Sequence, residues 1–368
     1  KKEINFKNIQ EYFYHGMIFE NGETFFKNIF QVDPGSYVSI DCNSFKIRKY
    51  NYYRVDEKLN SKTKMQSQID KSLFSRLIAD VKVGILLSGG LDSSYMLSRL
   101  IKKYLKKVNV FTAGNKSKKN DESIQAKETI KFLKNRHPNK NIKHKIFNLA
   151  NNSISDQLTK LSKYYDQPIH LSMSPLLFNI CKNVSNSGYK VLYGGEGLDE
   201  ISYGYKRFFT TMMQIKNSNN KIKDNVNLIY FGSGLKNIQL ISKILKKKYY
   251  NYEKLQSYKY VKYCLNHFPI YKTQMLFSIK YKLQTLLYRN DRMGMLNSVE
   301  MRCPFLNPKL IQYFLSLKPS ILYDQKLNKG KIPIRNLARN QIPKKIVEDL
   351  EKKGFVSDFD QELNSRKF

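Results

Sequence analysis

The sequence predicts an α/β protein: a parallel sheet followed by a long, mostly helical C-terminal part. Three observations lead there. A short apolar run, Val83-Gly84-Ile85-Leu86-Leu87, ends abruptly in Ser-Gly-Gly, as a buried parallel strand does. Apolar runs and amphipathic stretches then alternate to about residue 200, the order that requires right-handed crossovers. Beyond residue 205 the strand signals fade and helical periodicity dominates to about residue 342.

Taken in order, residues 1 to about 57 read as short strands with turns at Asn21-Gly22 and Pro34-Gly35, then Tyr37-Val38-Ser39-Ile40. After the strand at 83–87, Ser93 to Lys107 reads as a helix with Met96, Leu97, Leu100, Ile101, Tyr104 and Leu105 on one face. Val108–Thr112 is expected as the second strand, Asp121–Leu133 as a helix and Lys145–Leu149 as the third strand. Helices are expected over 153–164 and 174–186, and a fourth strand over Lys190–Tyr193. The stretch 214–260, rich in Asn, Lys and Tyr, is the least readable.

Bulk properties bound the function only loosely. With 41% hydrophobic residues in 368, the chain is globular in composition, and no apolar run approaches the roughly 20 residues of a membrane-spanning helix. No signal-peptide pattern follows Lys1, so a cytoplasmic location is the expectation. Cys42, Cys181, Cys264 and Cys303 are widely spaced and read as reduced thiols, not a zinc or disulfide framework. The 65 Lys and Arg against 30 Asp and Glu give a formal charge of +35. This excess runs along the whole chain beside a wealth of Asn, Ile and Tyr, so compositional drift explains it as readily as a nucleic-acid surface, which stays open.

Chemistry concentrates in four places. Ser88-Gly89-Gly90-Leu91-Asp92-Ser93-Ser94 joins the first sheet strand to its helix. Its glycines let backbone approach a phosphate, the helix start offers free N–H groups, and Asp92 can hold a divalent cation. No Lys-Ser/Thr pair follows the glycines, so this is not a P-loop of the Walker type. Gly194-Gly195-Glu196-Gly197-Leu198-Asp199-Glu200 sets three carboxylates within five positions on a glycine-rich turn, an arrangement that calls for a cation. Asp291-Arg292-Met293-Gly294-Met295 precedes Glu300-Met301-Arg302-Cys303-Pro304-Phe305-Leu306-Asn307, and Lys352-Lys353-Gly354-Phe355 lies near the C-terminus.

The first of these resembles the pyrophosphate loop of the N-type ATP pyrophosphatases, and the set, in this order, resembles the synthetase domain of the asparagine synthetases. Weaker matches are Asp121-Glu122-Ser123 with Ala126, and Tyr165-Asp166-Gln167-Pro168. Two departures stand out: Gly194 replaces the family's first serine, and Asn307 its aspartate.

The resemblance implies an ATP-pyrophosphatase domain over 58–368, preceded by a β-rich remnant over 1–57 that matches the tail of a glutaminase domain. It implies ATP held by Ser88 to Ser94 and Gly195, Mg²⁺ on Asp92 and Asp199, Glu196 handling the amine's proton, and Lys352 over the phosphates. The expected reaction is adenylation of a carboxylate, with aspartate the leading candidate, followed by attack of ammonia or an amine, as in asparagine biosynthesis. Because residue 1 is Lys, an upstream glutaminase domain or a separate glutaminase subunit is expected as the nitrogen source. An RNA-modifying ATP pyrophosphatase and a non-catalytic nucleotide-binding relative are the alternatives. Glu300 and Arg302 are expected to form a buried structural ion pair between helices that wall the site.

Overall fold

The computed structural model describes residues 3–18, 22–53, 65–114, 121–148, 154–169, 173–217, 221–231 and 252–349. The chain forms two compact units, Lys1–Asn60 with Tyr205–Thr285, and Ser61–Gly204 with Leu286–Phe368.

The unit containing the N-terminus opens with a helix, α1 (Phe6–His15), where the sequence pattern suggested strands. Gly16 ends it in the left-handed conformation (φ 72°) and donates its N–H to the Tyr12 carbonyl at 2.6 Å. His15 is buried, and its Nε2 lies 2.7 Å from the Tyr230 hydroxyl and 2.9 Å from Ser257 Oγ. These bonds tie α1 to the helices Ile222–Phe231 and Gln256–His267, around a core that includes Val226, Tyr230, Val261 and Phe277. Strands β1 (Ser36–Ile40) and β2 (Ile47–Asn51) form an antiparallel hairpin whose loop is fixed by Asp41 accepting from the amides of Asn43 and Ser44. The hairpin leaves Phe45, Ile47 and Tyr52 largely exposed.

The second unit holds the sheet. Its elements are α2 (Met65–Ser75), β3 (Val83–Leu86), α3 (Leu91–Lys103), β4 (Lys107–Gly114), α4 (Ser123–Arg136), β5 (Asn141–Asn148), α5 (Ile154–Ser162), α6 (Ser174–Asn186), β6 (Val191–Tyr193) and β7 (Glu300–Arg302). The five strands run parallel in the order β5-β4-β3-β6-β7. The order turns back on itself at β3, where β4 lies on one side and β6 on the other, the position at which open α/β sheets bind ligands.

The predicted α/β class and its four strands are therefore present. The fifth, β7, is three residues long, too short for periodicity to reveal in a region read as helical. Helix α3 ends at Lys103, four residues before the expected Lys107, because β4 begins there. It buries Met96, Leu97, Leu100 and Ile101 as predicted. Gly84 in β3 is a packing requirement, since a Cβ there would stand 2.6 Å from the Phe111 ring, which stacks on Phe147. Of the poorly readable stretch, residues 218–220 and 232–251 lie outside the described residues.

Helices α2 and α3 are held by a buried charge cluster. Asp70 accepts from Arg99 Nε at 3.0 Å and Nη2 at 2.8 Å, and from Lys103 Nζ at 2.6 Å. Burial pushes the Asp70 carboxyl up, but the bonds from Arg99 and Lys103 outweigh it and hold it below the usual carboxylate range. Its stabilisation is therefore complete above that range and is lost as pH falls through the lowered value. Asp70→Ala strands the buried Arg99 and is expected to cost about 3–5 kcal/mol in denaturant unfolding at neutral pH. That deficit should shrink as the pH is lowered.

Candidate active site

The Ser88–Ser94 loop stands where the sequence placed it, between β3 and the first turn of α3. Gly89 is left-handed (φ 81°), and a Cβ on it would lie 2.6 Å from the amide nitrogen of Ala126. Only glycine meets both demands. The loop is closed internally: Ser93 Oγ accepts from the Ser88 amide at 3.2 Å and lies 3.0 Å from Ser88 Oγ. Ser94 turns away, its hydroxyl 3.1 Å from Thr129 Oγ1, so its side chain braces α3 against α4. Leu91 starts α3 and Asp92 occupies its first turn, where the helix dipole favours a negative charge.

The second motif follows β6, the neighbour of β3, and comes to rest against the first. Gly195 sits so close to α3 that a Cβ would be 3.3 Å from the Ser93 amide nitrogen and 3.6 Å from Asp92 Cβ. Gly197 is left-handed (φ 92°), and a Cβ there would run into Leu306 of the third motif. Asp199 is in the first turn of the short helix Leu198–Ile201 and is buried. Glycines at tight contacts thus bring three separated motifs together.

What joins Asp92 to Asp199 is a residue the sequence reading did not select. Lys331 Nζ lies 2.6 Å from Asp92 Oδ2 and 2.6 Å from Asp199 Oδ1. It is buried, left-handed (φ 57°), and caps the N-terminus of the helix Ile332–Ala338. Burial would lower its pKa, but Asp199 and Asp92 prevail and raise it, so it stays an ammonium. Gly204 closes over the pair, with room for neither a Cβ beside Asp199 Oδ1 nor one beside Lys331 Cε. Lys331 carried one weak signal: a cation at a helix N-terminus opposes the dipole, and Pro333 marks that terminus. Among so many lysines the anomaly shows only once the helix is placed.

Glu196 points elsewhere. Its Oε1 is 4.0 Å from Arg289 Nη2, and its Oε2 is buried with no hydrogen-bond partner among the described residues. Burial first, and the Glu196 charge second, push the Cys181 and Cys303 thiols up to about 12. Both thiols stay protonated and are poor nucleophiles at neutral pH. The unsatisfied carboxylate oxygen is an acceptor awaiting a donor.

The remaining motif residues are mostly architectural. Asp166 of the Tyr-Asp-Gln-Pro segment accepts from the Tyr288 hydroxyl and from Arg292 Nη2 at 3.3 Å, linking that segment to the helix Leu283–Met295. Asn307 caps the helix Pro308–Ser316 by accepting from the Lys309 amide at 2.9 Å, a task asparagine performs as well as aspartate. Asp121 accepts from the amide and hydroxyl of Ser123 at the start of α4. Glu300 and Arg302 do pair, at 2.8 Å and 3.0 Å, but on strand β7 and with a half-exposed carboxylate, not buried between helices. A strand puts residues two apart on one face, and Arg302 also holds the Arg76 and Ile78 carbonyls. Lys352 and its Lys-x-Gly-Phe segment lie outside the described residues.

Asp92 and Asp199 have the hard oxygen donors a divalent cation takes, and they are the residues that would hold one, while the point between them carries the Lys331 ammonium. Among the described residues no group of three or more His, Cys, Asp or Glu side chains converges. No helix among the described residues is long and apolar enough to cross a membrane.

Gly89→Ala forces a Cβ onto backbone at a left-handed position. It is expected to lower stability by about 1–3 kcal/mol and to abolish nucleotide binding, as read by thermal unfolding with and without ATP.

Comparison with known proteins gives the family. The asparagine synthase family profile aligns with residues 64–367. Asparagine synthetase [glutamine-hydrolyzing] 1 of Bacillus subtilis is 24% identical over 387 residues, covering 96% of this chain and 59% of that protein. Asparagine synthetase [glutamine-hydrolyzing] 2 of Oryza sativa is 29% identical over 154 residues, covering 39% of this chain and 25% of that protein. The chain thus spans little more than half the length of these relatives at most. NMN synthetase from Francisella tularensis aligns in structure with a TM-score of 0.28 and 12% identity, over 64% of this chain and 94% of that one. With its profile match extending over most of its length, the chain belongs to the asparagine synthase family.

Proposed function

We propose that this chain is an ATP-dependent amide-forming synthetase that adenylates a carboxylate with release of pyrophosphate and transfers ammonia or an amine to the acyl-adenylate. The observation that carries this reading is the convergence of Asp92, Asp199 and Lys331 at the mouth of the Ser88–Ser94 loop. That loop offers donors to anionic oxygens, and Lys331 offers a positive charge that burial keeps from being screened.

In the first step a carboxylate oxygen attacks the α-phosphorus and the bond to the β-phosphate oxygen breaks. Lys331 stabilises the charge gathering on pyrophosphate, a role that the family resemblance also gives to Lys352. Mg²⁺ on Asp92 and Asp199 would neutralise phosphate charge. In the second step nitrogen attacks the acyl carbon and AMP departs. Glu196, whose Oε2 has no hydrogen-bond partner among the described residues, takes the amine's proton. Arg289 Nη2 lies 4.0 Å from the other oxygen of that carboxylate.

Aspartate with ammonia is the leading substrate pair, since the relatives are named for asparagine synthesis. Their names also include glutamine hydrolysis, and this supports reading residues 1–57 as the tail of a glutaminase domain and 58–368 as the synthetase. The exposed apolar residues of the β1–β2 hairpin suit such a neighbour, because an isolated two-stranded hairpin is marginal in water. A cytoplasmic location is part of the same proposal.

Pyrophosphate release from ATP and Mg²⁺ is expected to depend on aspartate, and ammonia should raise turnover and yield asparagine with AMP. Release with a different carboxylate would retain the chemistry and change the substrate; no release across a panel of acids would overturn the reading. Asp92→Asn is expected to lower pyrophosphate release by at least about a hundredfold. Its unfolding midpoint should stay near that of the unmodified chain, because Lys331 keeps Asp199 as a partner.

A further inference from the structure

The end of the sheet opposite the phosphate loop carries a row of lysines that the proposed reaction does not use. Four strands begin with, or directly after, a lysine: Lys190 before β6, Lys82 before β3, Lys107 at the start of β4 and Lys140 before β5. The pairings Val83↔Val191 and Gly84↔Asn109, followed back along the strands, set Lys190, Lys82 and Lys107 side by side in register. Lys107 pairs with Asn141, which places Lys140 beside Lys106 in the same way. Lys82, Lys106, Lys107 and Lys190 are exposed and Lys140 is half-buried. None of the five forms an ion pair among the described residues.

The ordinary explanations of surface lysine do not cover this row. Cations in the last turns of α3 and α4, such as Lys102 and Arg136, complement the helix dipoles and need no partner. The row stands beyond those last turns, at the strand starts, where sheet pairing and not the helix fixes its spacing. Like charges in adjacent register repel, so the arrangement costs stability in isolation. The rim has two acids of its own, Asp80 and Glu300; Asp80 makes no ion pair, and Glu300 is taken by Arg302. Strands about 4.8 Å apart set Lys190, Lys82 and Lys107 along a line of about 10 Å, with Lys106 and Lys140 one residue back on the next two positions of the rim. Cations repeated at strand spacing along the rim match a phosphodiester backbone better than a single small anion.

We propose that this basic rim binds the backbone of a single-stranded nucleic acid without reading its sequence. Contact with about four phosphates gives a log–log salt slope of about −3, because each released counterion contributes about 0.7. The surface faces away from the loop, so binding there and pyrophosphate release are separable.

The test is fluorescence anisotropy of the full chain with a labelled mixed-sequence RNA 20-mer, titrated in KCl. The variant Lys82→Gln/Lys107→Gln/Lys140→Gln/Lys190→Gln is compared with Lys309→Gln/Lys318→Gln/Lys326→Gln/Lys345→Gln, which removes the same charge elsewhere. The expected result is a loss of at least about tenfold in affinity and most of the salt slope in the first variant, with the second within about twofold of the unmodified chain. Equal losses in both would show that net charge alone governs binding, and would overturn the proposal. So would absence of binding at 50 mM KCl, or a rim-dependent preference for phosphatidylserine vesicles over RNA. Pyrophosphate release by the rim variant is expected to be unchanged, which separates this proposal from the fate of the synthetase reading.

Discussion

The buried ammonium of Lys331 between Asp92 and Asp199 is the interaction on which the site depends. With each carboxylate 2.6 Å from the same nitrogen, the two are at most about 5 Å apart, and their mutual repulsion is about 3 kcal/mol at an effective dielectric near 20. Without a cation between them, one would have to take up a proton. Lys331 allows both to remain charged in a place that water barely reaches. It also joins three elements distant in sequence: the first turn of α3, the helix after β6, and the N-terminus of Ile332–Ala338.

Such a meeting requires the backbone to come very close, and glycine is the means. Gly89, Gly195, Gly197 and Gly204 each sit where a side chain would strike another motif or the charged triad. The sheet supplies the frame. Strands β3 and β6 are neighbours, so the loops that follow them emerge side by side, and each ends in a glycine-rich turn carrying carboxylates. Turning of the strand order at β3 leaves the crevice in which they meet. The division of labour is then clear in physical terms. Hydrogen bonds and packing fix the architecture, while the buried charges remain concentrated at one mouth.

Much of this was legible beforehand, and the reasons for the rest are specific. The strand at Val83 and the glycine-rich turns at Ser88 and Gly194 announce themselves because local sequence dictates local shape there. Strand β7 was not visible, since three residues carry no period and only pairing with β6 makes Glu300–Arg302 a strand. Helix α1 was read as strands, because Ile, Phe and Tyr in short runs suit either state until a core decides; the buried His15 network supplies that decision. Lys331 is hard to single out because its role is tertiary: Pro333 marks a helix start beside it, but only the placed helix sets it apart from its neighbours Lys326 and Lys329. The Glu300–Arg302 pair is readable from the sequence but its exposure is not, because the exposure follows from its place on an edge strand.

The central claim is that the site cleaves ATP between the α and β phosphates by making an acyl-adenylate. It is tested most directly by following oxygen. The chain is incubated with ATP, Mg²⁺, ammonia and aspartate labelled with ¹⁸O in its carboxylates, and the phosphorus products are read by NMR. The account predicts AMP carrying one ¹⁸O, together with unlabelled pyrophosphate. ADP with inorganic phosphate, or AMP without label, would contradict it.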